Sequence, residues 1–486
     1  MSDLGFPTYR GKMEYVCQEC GKRYDSDNLL YTCPSCRGVF LLTDTTFSSL
    51  KQGGRDYWRD IFDSRMGVRN PSLRGIFRFY ELMAPILEEE DIVYLGEGNT
   101  PIIRANPELE KQIGQVFYFK NEGQNPSASF KDRGMACAFS YLKHLVRKKG
   151  LKEVLAICAS TGDTSASAAM YAAYVRGPIR SVVLLPHGKV TPQQLSQPLG
   201  SGALVLEIPG VFDDCMKVVE YLADNFNVAL LNSKNSWRIL GQESYSFEIA
   251  QWFGWDLRGK VVFVPIGNAG NIAAILSGFL KLYQLEIIEK LPRIFGVQSS
   301  HADPIYRYYA QESSTRRYSP VKVVPSVAQA AMIGDPVSFP RVRELVNQYQ
   351  QMAGEDAFCV VEVEEQEIIE GMLLANKWGH IACTQGGECL AGMKRAREEG
   401  LLDRDEEAIL NATAHSLKFI KFQQMYFEDA FPPEYEISPR QEYKNFPRLL
   451  ISSREAEGME KGQLIKRAAE EVVRILGLRK GCDSLS

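Results

Sequence analysis

Three times between residues 116 and 285 a short, mostly apolar run leads into a loop of small or polar residues and then into a helical pattern. The runs are Val116 to Lys120, Val154 to Cys158 and Val261 to Val264, short and rich in the branched and aromatic residues that strands favour. Ser181 to Leu185, Ala203 to Ile208 and Val228 to Leu231 repeat the strand signal, with a helical pattern from Asp213 to Phe226 among them. This alternation predicts parallel sheets covered by helices on both faces, an α/β fold. Ligands gather at the carboxyl ends of such strands, so the chemistry is expected in the loops that follow them.

Those loops are chemically distinct. The first holds Asn125-Pro126-Ser127-Ala128-Ser129-Phe130-Lys131-Asp132-Arg133-Gly134, followed by apolar residues at helical spacing, Met135, Phe139, Leu142 and Leu145. Ser129 and Asp132 have the spacing of a capping box, which predicts a helix starting there with Lys131 in its first turn. Helix dipole and burial would both favour the neutral amine of that lysine, the form that attacks a carbonyl. A solvated surface lysine is the plainer alternative for this stretch alone.

The second loop, Ala159-Ser160-Thr161-Gly162-Asp163-Thr164-Ser165, crowds hydroxyls and free N–H groups at a helix start, an arrangement that holds a carboxylate or phosphate. Ser160 and Asp163 repeat the capping spacing and could serve only as caps. The third, Pro265-Ile266-Gly267-Asn268-Ala269-Gly270-Asn271, lets the backbone approach closely and aim N–H groups at an anion. It matches neither the dinucleotide fingerprint nor the Walker loop.

At 486 residues with a net charge of −4, the chain has room for two or three domains. Its interspersed charges suit neither nucleic acid nor a membrane surface as main partner. One uncharged run of spanning length, Val261 to Leu280, is broken by Pro265, Gly267 and Gly270, which predicts strand, loop and helix in a soluble core. Residues 1–16 lack the apolar core of a signal peptide, and seven of the eleven cysteines are scattered, as expected of reduced thiols in a cytoplasmic protein. The other four, Cys17, Cys20, Cys33 and Cys36, form two CxxC knuckles with the spacing of a tetrahedral zinc ribbon, with Gly21 and Gly38 where knuckle turns relax. Cysteines without metal, or disulfides formed on handling, are the alternatives; a nucleic-acid-binding ribbon is disfavoured because Lys22, Arg23 and Arg37 are balanced by Glu19, Asp25 and Asp27.

Later strands are predicted at Ile294 to Gln298, Phe358 to Val363 and Ile409 to Asn411, and helices at Gln366 to Asn376 and from Thr384. The polar, proline-punctuated tail ends in a helix from about Lys461 to Leu476, expected on the outside or against a partner chain.

A reactive lysine, an anion pocket at Ser160 to Ser165 and a phosphate cradle at Gly267 to Asn271 describe together a site for pyridoxal phosphate and an amino acid. From about residue 14 to 430 the chain resembles the threonine synthase family, through GEGNTP (96–101), NPSASFKDRG, ASTGDTS, GNAGN and ATAHSLKF (412–419) in that order. The resemblance implies the tryptophan-synthase-β-like fold, with two doubly wound parallel-sheet domains behind a small zinc-ribbon module. The expected divisions are a ribbon at 1–45, a helical connector at 46–95, a large cofactor domain at 96–145 and 246–430, a smaller domain at 146–245 and an extension at 431–486. Lys131 would hold pyridoxal 5'-phosphate and move protons, Phe130 would lie beside the ring, Gly267, Asn268, Ala269, Gly270 and Asn271 would bind its phosphate, and Thr413 would meet the pyridine nitrogen. Asp163 falls where many members have asparagine near the ring hydroxyl. Ser160, Thr161 and Thr164 would receive the substrate carboxylate, and Lys189, Asn232, Ser233 and Arg238 the substrate phosphate. Cys17, Cys20, Cys33 and Cys36 would hold structural zinc. Residues 385–388 depart from the family pattern and receive no role. The implied reaction converts O-phospho-L-homoserine and water to L-threonine and phosphate in a cytoplasmic homodimer. A threonine dehydratase or a phosphoserine-using synthase is the alternative, and the phosphate-binding set speaks against the dehydratase.

Overall fold

The computed structural model describes residues 5–478 apart from 161, 189, 191, 211 and 227, so the expectations for Thr161 and Lys189 lie outside the described residues. Three sheets organise the chain. The first is antiparallel, in the order β2-β1-β3, from β1 (Met13–Cys17), β2 (Arg23–Asp25) and β3 (Phe40–Asp44). Alternate residues of β1 (Met13, Tyr15 and Cys17) and β3 (Phe40 and Leu42) point inward, as a sheet with one solvated face requires.

The next strands in the chain are β4 (Ile102–Arg104) and β5 (Phe117–Asn121), then β6 (Val154–Ala159), β7 (Ile179–Pro186), β8 (Leu204–Ile208) and β9 (Val228–Leu230). After them come β10 (Lys260–Pro265), β11 (Arg293–Ser299), β12 (Phe358–Val363) and β13 (Glu407–Ala412). A six-stranded sheet runs β12-β11-β10-β13-β5-β4, parallel except for β4 at its edge. A four-stranded parallel sheet runs β8-β7-β6-β9. Central β10 buries Val261 through Val264 completely, because helices cover both of its faces. The alternation read from the sequence therefore reports a mixed α/β fold with parallel sheets.

Both expected capping boxes fail to form. The first helix runs Lys131–Lys149, as the pattern predicts, but Phe130 is its N-cap and no side chain caps it. Ser129 is held in an isolated bridge to Ala414, flanked by bonds from Phe130 N–H to Thr413 O (2.9 Å) and from His415 N–H to Ala128 O (3.0 Å). That bridge leaves the Ser129 hydroxyl buried without a partner. The Asp132 carboxylate instead accepts the Ser127 N–H (2.6 Å), the Ser127 hydroxyl (2.7 Å) and the Ser167 hydroxyl. In the Asp163–Val175 helix the N-cap is Gly162, again without a side-chain cap, and Ser160 Oγ accepts the Gly162 N–H at 3.2 Å.

The N-terminal sheet is built into the body. Met13, Tyr15, Cys33, Phe40 and Leu42 share one buried cluster with Tyr141 and Trp237, and Tyr31 joins Ile157 and Val182 under the four-stranded sheet. Trp237 stacks on Tyr141 at 4.0 Å and donates its indole N–H to the Tyr15 hydroxyl at 3.0 Å. The helix Lys461–Leu476 forms as predicted and buries none of its residues. No helix among the described residues is long and apolar enough to cross a membrane.

Candidate active site

The loops after β5, β10 and β13 converge on one cavity, at the carboxyl ends of neighbouring parallel strands. Of the residues expected at the site, Phe130, Lys131, Asp163, Ser233, Arg238, Gly267 to Asn271 and Thr413 line it. Ser160, Thr164 and Asn232 do not. Both ends of the Asn232 amide are engaged with the Ala159 backbone, accepting its N–H at 3.0 Å and donating to its carbonyl at 2.7 Å. Asn232 therefore ties the end of β6 to the loop after β9.

Lys131 is placed by the short bridge between residues 128–130 and 413–415, and the other side of that bridge is tight as well, since a Cβ on Gly123 would stand 2.7 Å from the His415 backbone. Its Nζ lies 4.3 Å from the centre of the Phe130 ring. Burial first, and then the positive charges of Arg238 and Lys418, pull the amine down to about 7, against the opposing pull of Asp163. A lysine so shifted carries a substantial neutral fraction at physiological pH and is a competent nucleophile.

The segment 267–271 makes an anion cradle from backbone. The helix Gly270–Gln284 begins with no side-chain cap, its N-cap Ala269 at φ +61°. Its first N–H groups consequently point into the cavity mouth without an internal competitor. A Cβ at Gly267 would stand 2.8 Å from Ala331 Cα, so only glycine admits that wall. Asn271 adds a buried Nδ2 without a partner. An uncapped helix start, a glycine wall and an orphan amide fit a phosphate monoester, and the lysine across the cavity fits its aldehyde-bearing ring.

A second anion feature lies beside it. Arg238 is 2 % exposed, gives one Nη1 bond to Leu231 O at 2.8 Å, and keeps its Nε buried without a partner. Burial pulls this guanidinium down to about 10. An anion entering the cavity would relieve that cost.

Sequence reasoning missed three participants. Lys418 pairs with Asp163 at 2.8 Å and also bonds Ser127 O (2.9 Å) and Gln197 Oε1 (3.0 Å), fastening the helix start at Asp163 to the lysine loop. It lies within the quoted motif ATAHSLKF, but nothing local to that motif identifies its partner. Cys383 caps the helix Thr384–Glu398 and meets Thr413 Oγ1 at 3.4 Å. Gln385, in the segment left without a role, lines the cavity with both amide atoms buried and unpartnered. His415 has a local task, accepting the Leu417 N–H at 3.2 Å.

Away from the cavity the four ribbon sulfurs cluster, all within 4.8 Å of one another. Gly21 turns the first knuckle with φ +68°, whereas in the second the positive φ falls on Arg37 (+65°). Gly38 is needed there for closeness instead, since a Cβ would stand 2.9 Å from Cys17 Sγ.

Comparison with known proteins agrees with this geometry. Residues 93–413 match the family described as pyridoxal-phosphate dependent enzyme. Threonine synthase of Methanocaldococcus jannaschii is 38 % identical over 83 % of this chain and 92 % of its own. Threonine synthase 2, chloroplastic, of Arabidopsis thaliana is 34 % identical over 82 % of this chain and 74 % of its own. The crystal structure of threonine synthase from Escherichia coli shares the fold with a TM-score of 0.61 at 19 % identity, covering 84 % of this chain and 90 % of that one. The chain therefore belongs to the pyridoxal-phosphate dependent enzymes, among the threonine synthases.

Proposed function

We propose that the chain is a threonine synthase, converting O-phospho-L-homoserine and water to L-threonine and phosphate. The observation that carries this reading is a depressed lysine between two separate anion features, the 267–271 cradle and the Arg238 guanidinium. One phosphate belongs to the cofactor and the other to the substrate. In the overall change Cα and Cβ each give up a proton, the Cγ–O bond breaks and phosphate leaves with its electrons. Cγ then gains a proton, Cβ takes the hydroxyl of a water, and a proton returns to Cα.

When bound, pyridoxal phosphate supplies the electron sink that makes the α proton acidic. Lys131 would hold that group covalently, and its amine, once free, would be the base that moves protons at Cα and Cβ. The N–H groups of 267–271 would hold the cofactor phosphate, and the Thr413 hydroxyl would serve its ring nitrogen. Asp163, with Lys418 as its cationic partner, would serve the ring hydroxyl. Arg238 and Ser233 receive the substrate phosphate, and the charge of Arg238 steadies it as it departs. Ser160 and Thr164, though they do not line the cavity itself, would offer hydroxyls to the substrate carboxylate. Gln385, which lines the cavity with an unpartnered amide, would satisfy it on the ligands once they are bound.

The purified enzyme given O-phosphohomoserine is expected to release phosphate and threonine in equal amounts. Faster deamination of serine or threonine than threonine formation would reassign it to the dehydratase class.

The ribbon is read as a structural zinc site, supported by four thiols within 4.8 Å of one another at tetrahedral-ligand spacing. Cys20→Ser is expected to lose the bound metal equivalent and to lower unfolding stability by roughly 3 kcal/mol or more. Metal analysis and denaturant titration check this together, and a variant that keeps full stability without metal contradicts it. The divisions at 1–45, 46–95, 96–145 with 246–430, 146–245 and 431–486 complete the proposed organisation.

A further inference from the structure

Arg341, on the helix Phe339–Ala353, is 0 % exposed. Its Nε donates to Phe40 O at 2.6 Å, Nη1 to Ser233 O at 2.9 Å and Ser338 Oγ at 2.8 Å, and Nη2 to Lys234 O at 2.9 Å and Ser236 Oγ at 3.4 Å. A guanidinium has five N–H donors, and here each has an acceptor. Every acceptor is a carbonyl or a hydroxyl, so the positive charge stays uncompensated, and burial pulls the group down to about 9. A buried cation without a counter-ion is costly, so the role its five bonds play is worth asking.

The five acceptors identify that role. Ser233 lines the cavity, and Ser233, Lys234 and Ser236 form the turn that carries Arg238. Ser338 gives its N–H to Asn268 O at 3.2 Å, inside the phosphate cradle. A Cβ on Gly270 would stand 3.7 Å from Ser338 Oγ and 3.9 Å from Ser233 Cβ, so the two anion features abut at this point. The Phe40 carbonyl, from β3 of the N-terminal sheet, closes the remaining side of the socket and also accepts the Ser236 hydroxyl at 2.9 Å.

The geometry points to Arg341 as the positioning residue for both anion sites, a planar fork that sets the 233–238 turn against the 267–271 cradle. This rests on the assignment of cofactor and substrate phosphates made above. Arg341 itself touches neither ligand, because its donors are fully engaged. Lysine keeps the charge but cannot span acceptors on two segments and a third strand at once.

Arg341→Lys is therefore expected to weaken pyridoxal phosphate binding to the apoprotein roughly tenfold, and to raise both KM for O-phosphohomoserine and the inhibition constant of inorganic phosphate by a similar factor. Its kcat should change less than its KM. Arg341→Met should do no better. Ser338→Ala, which removes one acceptor but keeps the backbone bond to Asn268, should show the same pattern at about threefold. If Arg341→Lys restores wild-type constants, charge alone matters and the fork is overturned. Wild-type constants in Ser338→Ala at an unchanged melting temperature overturn it as well, and decide the matter if the arginine variants do not fold. Should the wild-type enzyme fail to act on O-phosphohomoserine, the functional reading falls, while the cofactor affinities of these variants still test Arg341.

Discussion

Lys131→Ala is expected to cut threonine formation by about 10³-fold or more, because one amine both holds the cofactor and moves protons, and a placed proton-transfer group alone is worth about 10²–10⁴-fold. Two other partly or fully buried lysines are rival anchors, and their surroundings exclude them. Lys120 is committed to Glu248 (2.8 Å) and Thr100 (2.8 Å), and Lys418 to Asp163 (2.8 Å). Among the described residues only Lys131 faces the cavity with its amine pulled down to about 7, by burial and then by Arg238 and Lys418. The sign gives a second readout. The amine is charged below that value and neutral above it, so capture of pyridoxal phosphate by the apoprotein should accelerate from about pH 6 to 8 and then level, rather than climbing only towards the usual lysine value of about 10.4. Borohydride reduction and mass spectrometry should place the label on Lys131. A label on Lys120 or Lys418, or a capture rate that still climbs above pH 9, would overturn this assignment.

Backbone-built features of the site were legible in the chain, and side-chain pairings across it were not. The 267–271 cradle announces itself because close approach to an anion and to Ala331 demands glycine, a choice visible in one sequence. Lys131 is legible for a similar reason, since strand, polar loop and helix fix its place at a helix start. The capping boxes misled because Ser129 and Asp132 have the right spacing but a tertiary bridge to Ala414 decides where the serine points. Asn232 shows the same limit, for the resemblance assigns it to the substrate phosphate, whereas its engagement of the Ala159 backbone by both ends of its amide is a contact across the chain that no local pattern announces. Lys418, Gln385 and Arg341 lie far along the chain from what they serve, in stretches with no local signal of burial. Arg341 sits 301 residues from Phe40, so no window of sequence could have joined them.

Glu248→Gln is expected to lower unfolding stability by about 3–5 kcal/mol, since it removes one carboxylate from a dry cluster whose cations stay behind. Glu248 meets Arg133 Nη2 at 2.6 Å, Lys120 Nζ at 2.8 Å and Arg78 Nη2 at 3.7 Å, with every side chain 5 % exposed or less. Glu122, paired to Arg133 Nε at 2.6 Å, would be left alone to balance these cations. Burial opposes ionisation of Glu248, but Arg133 and Lys120 overcome it and hold the carboxyl well below its ordinary value. A carboxylate depressed in the folded state contributes stability that is present above the unfolded value of about 4.3 and fades as pH falls through the folded one. The gap between wild type and variant should thus be flat above roughly pH 5 and narrow in stronger acid, as read by urea titration at several pH values. The cluster also reaches the chemistry. Arg133 follows Lys131 by two positions, and Glu248 Oε1 accepts the Asn99 N–H at 2.6 Å, in the glycine turn beside the lysine loop, where Gly98 N–H bonds Asn125 Oδ1 at 2.9 Å. A variant that folds only in stabilising salt should therefore also bind pyridoxal phosphate more weakly. A loss under about 1 kcal/mol with unchanged cofactor affinity would show that the cations find other partners, and that the lysine loop does not lean on this cluster.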